Sequence, residues 1–293
     1  FGSDVGDRLI EEIETEDLLF TLRKVESKGF LEITARLKNY VTDIMHYAMK
    51  KKLLKANPAL YLDGEFAAPE TSHYPALSLD KLPELLTRTD SYCGRLLTKY
   101  ALKLSLIFFV RSSELRFARW SEIDWQQKLW IIPEEREQIE NVRFSYRGSK
   151  MKIQHIVPLS DQAIAILKQI EALSGHLAFI FPGEYDQNKC MSDNTVNKAL
   201  RVMGYDTKKD ICGHGFRAMA CSALSESGLW SKEAIEKQMS HQERNSVRAA
   251  YIHKAEYLEE RIEMMQWWSD YLDANSDGYV SAYQYARRLK QAS

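Results

Sequence analysis

Between residue 58 and about residue 77 the hydrophobic periodicity of the chain lapses, and Pro58, Gly64, Pro69 and Pro75 punctuate a polar stretch. Each proline fixes its φ and withholds a backbone donor, so neither a long helix nor a central strand runs through this segment. The apolar residues on its two sides must therefore find separate cores, and 293 residues are enough for both. The expected organisation is a helical domain over residues 1–65, a linker over 66–77 and a second domain over 78–293.

Residues 15–54 read as two helices. Leu18, Leu19, Leu22 and Val25 recur at helical spacing, as do Ile33, Leu37, Tyr40, Val41, Ile44 and Ala48, and Gly29 separates the two runs. Lys50, Lys51, Lys52 and Lys55 collect at the end of the second, where cations suit the negative end of the helix dipole. A solvated helix end accounts for them as well as a DNA contact does. In the second domain, helical patterns cover 79–86, 96–109 and 161–173, and continue intermittently to Leu272, while 129–132 and 150–157 look like strands. The expected fold class is mainly α with a small antiparallel β-sheet, an α+β arrangement.

Charge enters because it bears on the partner. Lys and Arg number 40 against 41 Asp and Glu, a net charge of −1, which excludes a protein that holds nucleic acid by bulk charge alone. The division is uneven: residues 1–80 carry 10 basic and 14 acidic groups, and residues 81–293 carry 30 and 27. An anion site is therefore expected in the second domain. The apolar run over 104–110 is too short to span a bilayer. Cys93, Cys190, Cys212 and Cys221 form no C-x-x-C pair, which argues against a zinc site or disulfide framework and suits a reducing cytoplasm. The chain begins at Phe1 without an initiator Met, as a fragment would. Near its end, Asp273, Asn275, Asp277 and Gly278 open like an EF-hand loop, but the twelfth position is Gln284 and not a bidentate Glu. A polar turn between two short helices is the expectation there, with no metal.

Several residues suit chemistry on a phosphate. Arg111 and Glu114 stand three apart, so a helical turn would let the carboxylate hold the guanidinium for an anion. Alone, such a pair is more often a surface ion pair. His214 and Arg217 share that spacing at the start of a helix rich in small residues that ends near Gly228, and a helix start offers free N–H groups to an anion. Lys150 enters a strand pattern from the acid-free basic segment 143–152, which also holds Arg143, Arg147 and Lys152. His241 lies in Met-Ser-His, and Tyr251 follows ten residues later.

The ordered set Arg111, Lys150, His214-x-x-Arg217, His241, Tyr251 resembles the tyrosine recombinases, and within them the integrases of prophages and genomic islands. The resemblance covers nearly the whole chain. It extends to Ala118-Arg119-Trp120-Ser121-Glu122-Ile123-Asp124, to Val157-Pro158-Leu159-Ser160, and to Met264-Met265-Gln266-Trp267-Trp268-Ser269-Asp270-Tyr271-Leu272. Residues 9–63 look like the family's helical core-binding domain, ahead of its catalytic domain.

That resemblance implies an enzyme that cuts and rejoins DNA through a 3′-phosphotyrosyl intermediate, integrating or excising a mobile element without a cofactor. It implies Tyr251 as nucleophile, Arg111 and Arg217 on the non-bridging oxygens, and Lys150 as acid for the leaving 5′-oxygen. It further implies His214 as proton exchanger with Tyr251, His241 as a phosphate hydrogen-bond donor and Glu114 as their support. The partners implied are duplex attachment core sites and three further copies of the chain in a tetramer on DNA, with room for accessory DNA-bending or directionality proteins. The expected location is cytoplasmic, with the nucleoid, and no membrane is involved.

Two departures matter. Residues 137–149 intervene between the Ile-Pro-x-Glu-Arg strand end and the lysine, which predicts a longer β-hairpin and leaves Lys152, on the same strand face, as runner-up to Lys150. Full-length members also usually carry a further N-terminal arm-binding domain. Leu258, Ile262, Met265 and the Trp267–Trp268 pair could pack in cis or dock on a neighbour. The alternatives are a type IB topoisomerase-like relaxation activity and a catalytically silent architectural DNA-binding protein.

Overall fold

The computed structural model describes residues 2–69, 74–142, 144–241 and 257–292. The chain forms two compact units, 1–73 and 74–293.

The first unit is built on α1 (Thr15–Glu26) and α2 (Leu31–Lys50). Gly29 makes the turn between them with φ +79°, a left-handed conformation that a side chain would strain. Asp17 closes the start of α1 by accepting the Glu14 N–H at 3.0 Å. A short 3₁₀ turn, Pro58–Leu62, folds back on both helices, and Leu18, Leu22, Val41, Met45, Ala59 and Leu62 form the core. The face expected for α2 needs correction. Its buried side is Thr34, Val41, Met45 and Ala48, whereas Ile33, Tyr40 and Ile44 are exposed. The helix is apolar around much of its circumference, and spacing alone does not say which stripe meets α1.

In the second unit, α3 (Leu82–Asp90) leads into α4 (Leu96–Phe108), whose residues Leu97, Ala101, Leu102, Leu104, Leu106, Ile107 and Phe108 are all buried. Around α4 pack α6 (Asp161–Ser174), α7 (Thr195–Val202), α8 (Gly215–Ser227) and α10 (Leu258–Ala274). The short helices α5 (Ser112–Arg116) and α9 (Lys232–Gln238) and the terminal α11 (Ala282–Ala292) complete the helical set among the described residues. A helix buried on most sides must be apolar on most sides, which is the pattern of 96–109.

The sheet is antiparallel in the order β1 (Ile123–Asp124), β2 (Leu129–Ile132), β3 (His155–Pro158), with Trp130 opposite Val157 and Ile132 opposite His155. The strand expected from residue 150 begins only at His155. Residues 149–152 turn instead, with the Lys152 N–H on the Ser149 carbonyl at 3.0 Å and Lys152 at φ +54°, so Lys150 and Lys152 share no strand face. Nor does the 137–149 segment lengthen the hairpin strands. Its only strand-like contact among the described residues is the isolated bridge Glu135–Arg147. Val142 packs with Phe117, Phe179 and Cys190, and the Ser145 hydroxyl accepts the Ile139 N–H at 2.7 Å, so the insertion is a folded loop with its own small core.

At the far end, Trp268 is buried in its own chain with its indole N–H on the Leu106 carbonyl at 3.0 Å, and Met264 and Met265 are fully buried beside it. Met265, Trp267 and Trp268 of the α10 face thus pack in cis, whereas Ile262 is exposed. Asn275 is committed to the turn after α10: its Oδ1 accepts the Val280 N–H at 3.0 Å and its Nδ2 donates to the Tyr271 carbonyl at 2.9 Å. Among the described residues no group of three or more His, Cys, Asp or Glu could hold a metal, and no helix is long and apolar enough to cross a membrane.

Candidate active site

The site is assembled where α4 ends. Phe109 terminates the helix in the left-handed region at φ +39°, and the chain turns directly into Arg111, the cap residue of α5. Glu114, wholly buried, then acts at three points. Its Oε2 accepts the Arg111 backbone N–H at 2.9 Å, and its Oε1 accepts the Arg111 Nη1–H and the Lys150 backbone N–H, each at 3.3 Å. One carboxylate therefore orients the guanidinium and fixes where the lysine leaves its loop. The expected pairing of Arg111 with Glu114 is present, with the added link to Lys150.

Arg217 approaches from the first turn of α8 and is 3% exposed. Its Nη1 donates to the Phe109 carbonyl at 2.6 Å and its Nη2 to the Met239 carbonyl at 2.7 Å. Arg111 donates from Nη2 to the next carbonyl, Ser240, at 2.9 Å. Carbonyls at a helix end lack intrahelical donors, so the C-terminus of α9 supplies consecutive acceptors for two guanidiniums. Burial, and then the nearby Arg111, push the Arg217 pKa down to about 10, so it stays charged at neutral pH. Two cations are thus held close to each other beside a single carboxylate, an arrangement that gains most from an incoming anion.

The remaining side chains sit at the edge. His214 caps α8, is exposed, and lies against Tyr74 with ring centroids 4.3 Å apart. Its pKa is lowered, first by desolvation and then by Arg217, Arg111, Lys150 and His241, whose fields converge on this ring. His241 is exposed too, with Nε2 at 3.4 Å from Arg217 Nη2 and Nδ1 at 2.6 Å from Glu236 Oε2. Lys150 is exposed and its ammonium makes no hydrogen bond or ion pair among the described residues. Its loop is pinned from below by a buried bidentate pair: Arg136 reaches Glu122 at 2.6 and 2.8 Å, the Arg147 carbonyl at 2.9 Å and the Glu114 carbonyl at 3.5 Å.

Of the residues singled out from sequence, Arg111, Glu114, Lys150, His214, Arg217 and His241 come together. Tyr251 and Arg143 lie outside the described residues. Lys50, Lys51, Lys52 and Lys55 are exposed in the first unit, and Arg147 and Lys152 are exposed on the inserted loop, Arg147 over the Phe144 ring at 3.9 Å.

Sequence reasoning missed four residues. Glu122 and Arg136 form the buried pair under the loop, and the indole N–H of Trp130 also reaches Glu122, at 2.9 Å. His155 is 3% exposed, its Nε2 has no partner among the described residues, and desolvation followed by Arg261, Arg111, Lys237 and Arg217 keeps its pKa well below the ordinary histidine value. Glu236 meets His241. A buried charge or imidazole leaves one signal in a sequence, a polar residue at an apolar beat of a strand or helix, and His155 in His-Ile-Val-Pro is the one example legible that way.

Chemically, the arrangement offers two fixed guanidiniums, two imidazoles and an ammonium around one point. That set suits stabilising charge and moving protons on a phosphodiester, with no metal required by the donor types present.

Comparison with known proteins covers both units of the chain. The phage integrase family matches residues 75–257, and the phage integrase central domain matches residues 2–65. The chain is similar to the IntB protein of Escherichia coli (strain K12), 57% identical over 283 residues, covering 97% of this chain and 72% of that protein. It is similar to the integrase of Enterobacteria phage P4, 53% identical over 277 residues, covering 94% of this chain and 63% of that integrase. Among solved structures, a lambda integrase fragment bound as a dimer to a core site shares the fold, with a TM-score of 0.62 at 17% identity over 83% of this chain and 84% of that one.

Proposed function

The chain belongs to the phage integrase family, and from that premise we propose that it is a site-specific DNA recombinase that cuts and rejoins duplex DNA through a phosphotyrosyl intermediate. The observation that carries the reading is the pair Arg111 and Arg217, each guanidinium anchored on a carbonyl at the end of α9 and the first also on Glu114. A permanently charged, planar fork is the donor best matched to two non-bridging phosphate oxygens, and holding it in place beforehand removes reorganisation from the reaction.

In this mechanism the Tyr251 hydroxyl attacks the scissile phosphorus. The bond to the 5′-oxygen breaks, and the strand end stays on the enzyme as a 3′-phosphotyrosyl ester. Lys150 gives the departing 5′-oxygen its proton, and His214 takes the proton that Tyr251 loses. Arg111, Arg217 and His241 hold the charge that gathers on the phosphate in the transition state. Because one ester replaces another, the step stores its bond energy and reverses when a 5′-hydroxyl from a partner strand attacks. The exposed lysines of the first unit are suited to phosphates flanking the core site. Exchange between two duplexes requires four active sites, so the working form is a tetramer on DNA, to which accessory bending or directionality proteins add bias. The chain spans 72% of the length of IntB and 63% of that of the phage P4 integrase, so this assignment concerns the portion they share.

A plasmid assay tests the reading. A supercoiled plasmid bearing two paired core sites should yield recombinant products with the wild-type chain and none with Tyr251→Phe. Relaxation without dependence on the sites would make the protein a topoisomerase instead, and binding without any strand breakage would make it architectural.

A further inference from the structure

The mechanism above uses His241 as a donor to phosphate, and the structure holds that ring in a way the mechanism does not explain. Ser240 takes a left-handed conformation, φ +50°, just past the end of α9. The His241 backbone N–H consequently turns back to the Glu236 carbonyl at 3.0 Å, closing the helix as a six-to-one turn. The same turn brings the imidazole over the Glu236 side chain, with Nδ1 at 2.6 Å from Oε2. On its other side the ring meets Arg217 Nη2 at 3.4 Å. A guanidinium only donates, so Nε2 must accept, and the ring proton must sit on Nδ1 and be given to Glu236.

We infer that Glu236 is a positioning residue of the active site, a carboxylate that fixes the tautomer and plane of His241 and supplies the countercharge it needs when it donates to the scissile phosphate. A phosphate oxygen only accepts, so Nε2–H must face it when DNA is bound. Nδ1–H is already committed to Glu236, so an Nε2–H turned to the phosphate needs that carboxylate as countercharge in a site that already contains Arg217 from α8, Arg111 from the cap of α5, Lys150 just after the inserted loop and His214 at the start of α8. The Cys221 thiol of α8 also feels the Glu236 charge. Among the described residues Glu236 is the carboxylate in contact with the ring, whereas Glu114 is spent on Arg111 and on the Lys150 backbone. The carboxylate behind a metal-bound histidine typically contributes 10- to 100-fold through orientation and ligand basicity, and an effect of about that order is expected here.

The inference rests on the recombinase reading for its substrate but can be tested apart from it. Protein labelled with ¹⁵N-histidine and free of DNA should show His241 as the Nδ1–H tautomer in the wild type and lose that preference in Glu236→Ala. On a nicked core-site substrate in single turnover, Glu236→Ala should cleave roughly 10- to 100-fold more slowly with unchanged DNA affinity. Glu236→Gln, which keeps an acceptor but no charge, should fall between the two. The double variant Glu236→Ala/His241→Gln should be no slower than His241→Gln alone, since Glu236 acts only through the ring. A wild-type Nε2–H tautomer, a Glu236→Ala rate within twofold of the wild type, or losses that multiply in the double variant would each overturn the inference. If the wild type itself fails to cleave, the recombinase reading fails while the tautomer measurement still decides the pairing.

Discussion

The floor and the rim of the candidate active site are built by opposite rules. On the floor, Arg217 and Glu114 are buried, and apart from the 3.4 Å approach of Arg217 to the His241 ring their hydrogen bonds are made to backbone or to an oppositely charged partner inside the fold. On the rim, Lys150, His214 and His241 are exposed and held by a single turn, ring contact or ion pair. The difference matches what each group would do in the proposed mechanism. Charge stabilisation benefits from donors that cannot move and are shielded from water, whereas proton transfer needs side chains that reach solvent and adjust to the substrate. On that proposal, folding energy and catalysis are coupled on the floor and separable on the rim.

The comparison breaks most visibly at Arg217. Replacing it by Ala should slow cleavage by about 10²–10³-fold and should also lower stability by a few kcal/mol, because the Phe109 and Met239 carbonyls lose their donor in the interior. Chemical denaturation alongside single-turnover cleavage reads both effects. Lys150→Ala should show the first without the second: a cleavage loss of about 10²-fold or more and an unfolding free energy within about 0.5 kcal/mol of the wild type. A clear loss of stability at Lys150 would erase the distinction.

Arg136 sharpens it, since it belongs to the floor yet touches no substrate. Arg136→Met leaves Glu122 buried without its cation, for which about 3–5 kcal/mol of destabilisation is expected. The Glu122→Gln/Arg136→Met pair should recover part of that loss, measured by the same denaturation curves.

The smallest effect concerns pH. His155 is held neutral by burial and by the surrounding cations, so its folded-state pKa lies below the unfolded one. Above about pH 6.5 both states are unprotonated and nothing changes. As pH falls below that value the unfolded chain takes up a proton that the folded chain refuses, and stability declines until the folded pKa is reached. His155→Gln should flatten the decline between pH 6.5 and 5, and an unaltered slope would assign it to other groups.

How much of this was legible in the sequence differs between the two parts of the site. Arg111, Lys150, His214, Arg217 and His241 could be singled out as candidates because their types suit a phosphate and their order resembles that of the tyrosine recombinases. The supports could not. Nothing in the spacing of Glu122 and Arg136, fourteen residues apart, says that a hairpin will bring them into a buried pair, and Glu236 precedes His241 by five, a separation that no regular helix turns into a contact. Ser240 at φ +50° makes that contact, and serine gives no warning of a left-handed backbone. In the fold, α4 was plain from its dense apolar pattern, whereas the buried stripe of α2 and the start of β3 were decided by tertiary packing and by the turn at Lys152.

The central claim is that Tyr251 attacks a phosphate held by Arg111 and Arg217. Its most direct test is to trap the covalent complex on a nicked suicide substrate, digest it, and identify by mass spectrometry the peptide that carries the nucleotide. The account predicts a single adduct on the peptide containing Tyr251, absent in Tyr251→Phe and greatly reduced in Arg217→Ala. An adduct on any other residue, or one that persists at full yield in Tyr251→Phe, would contradict it.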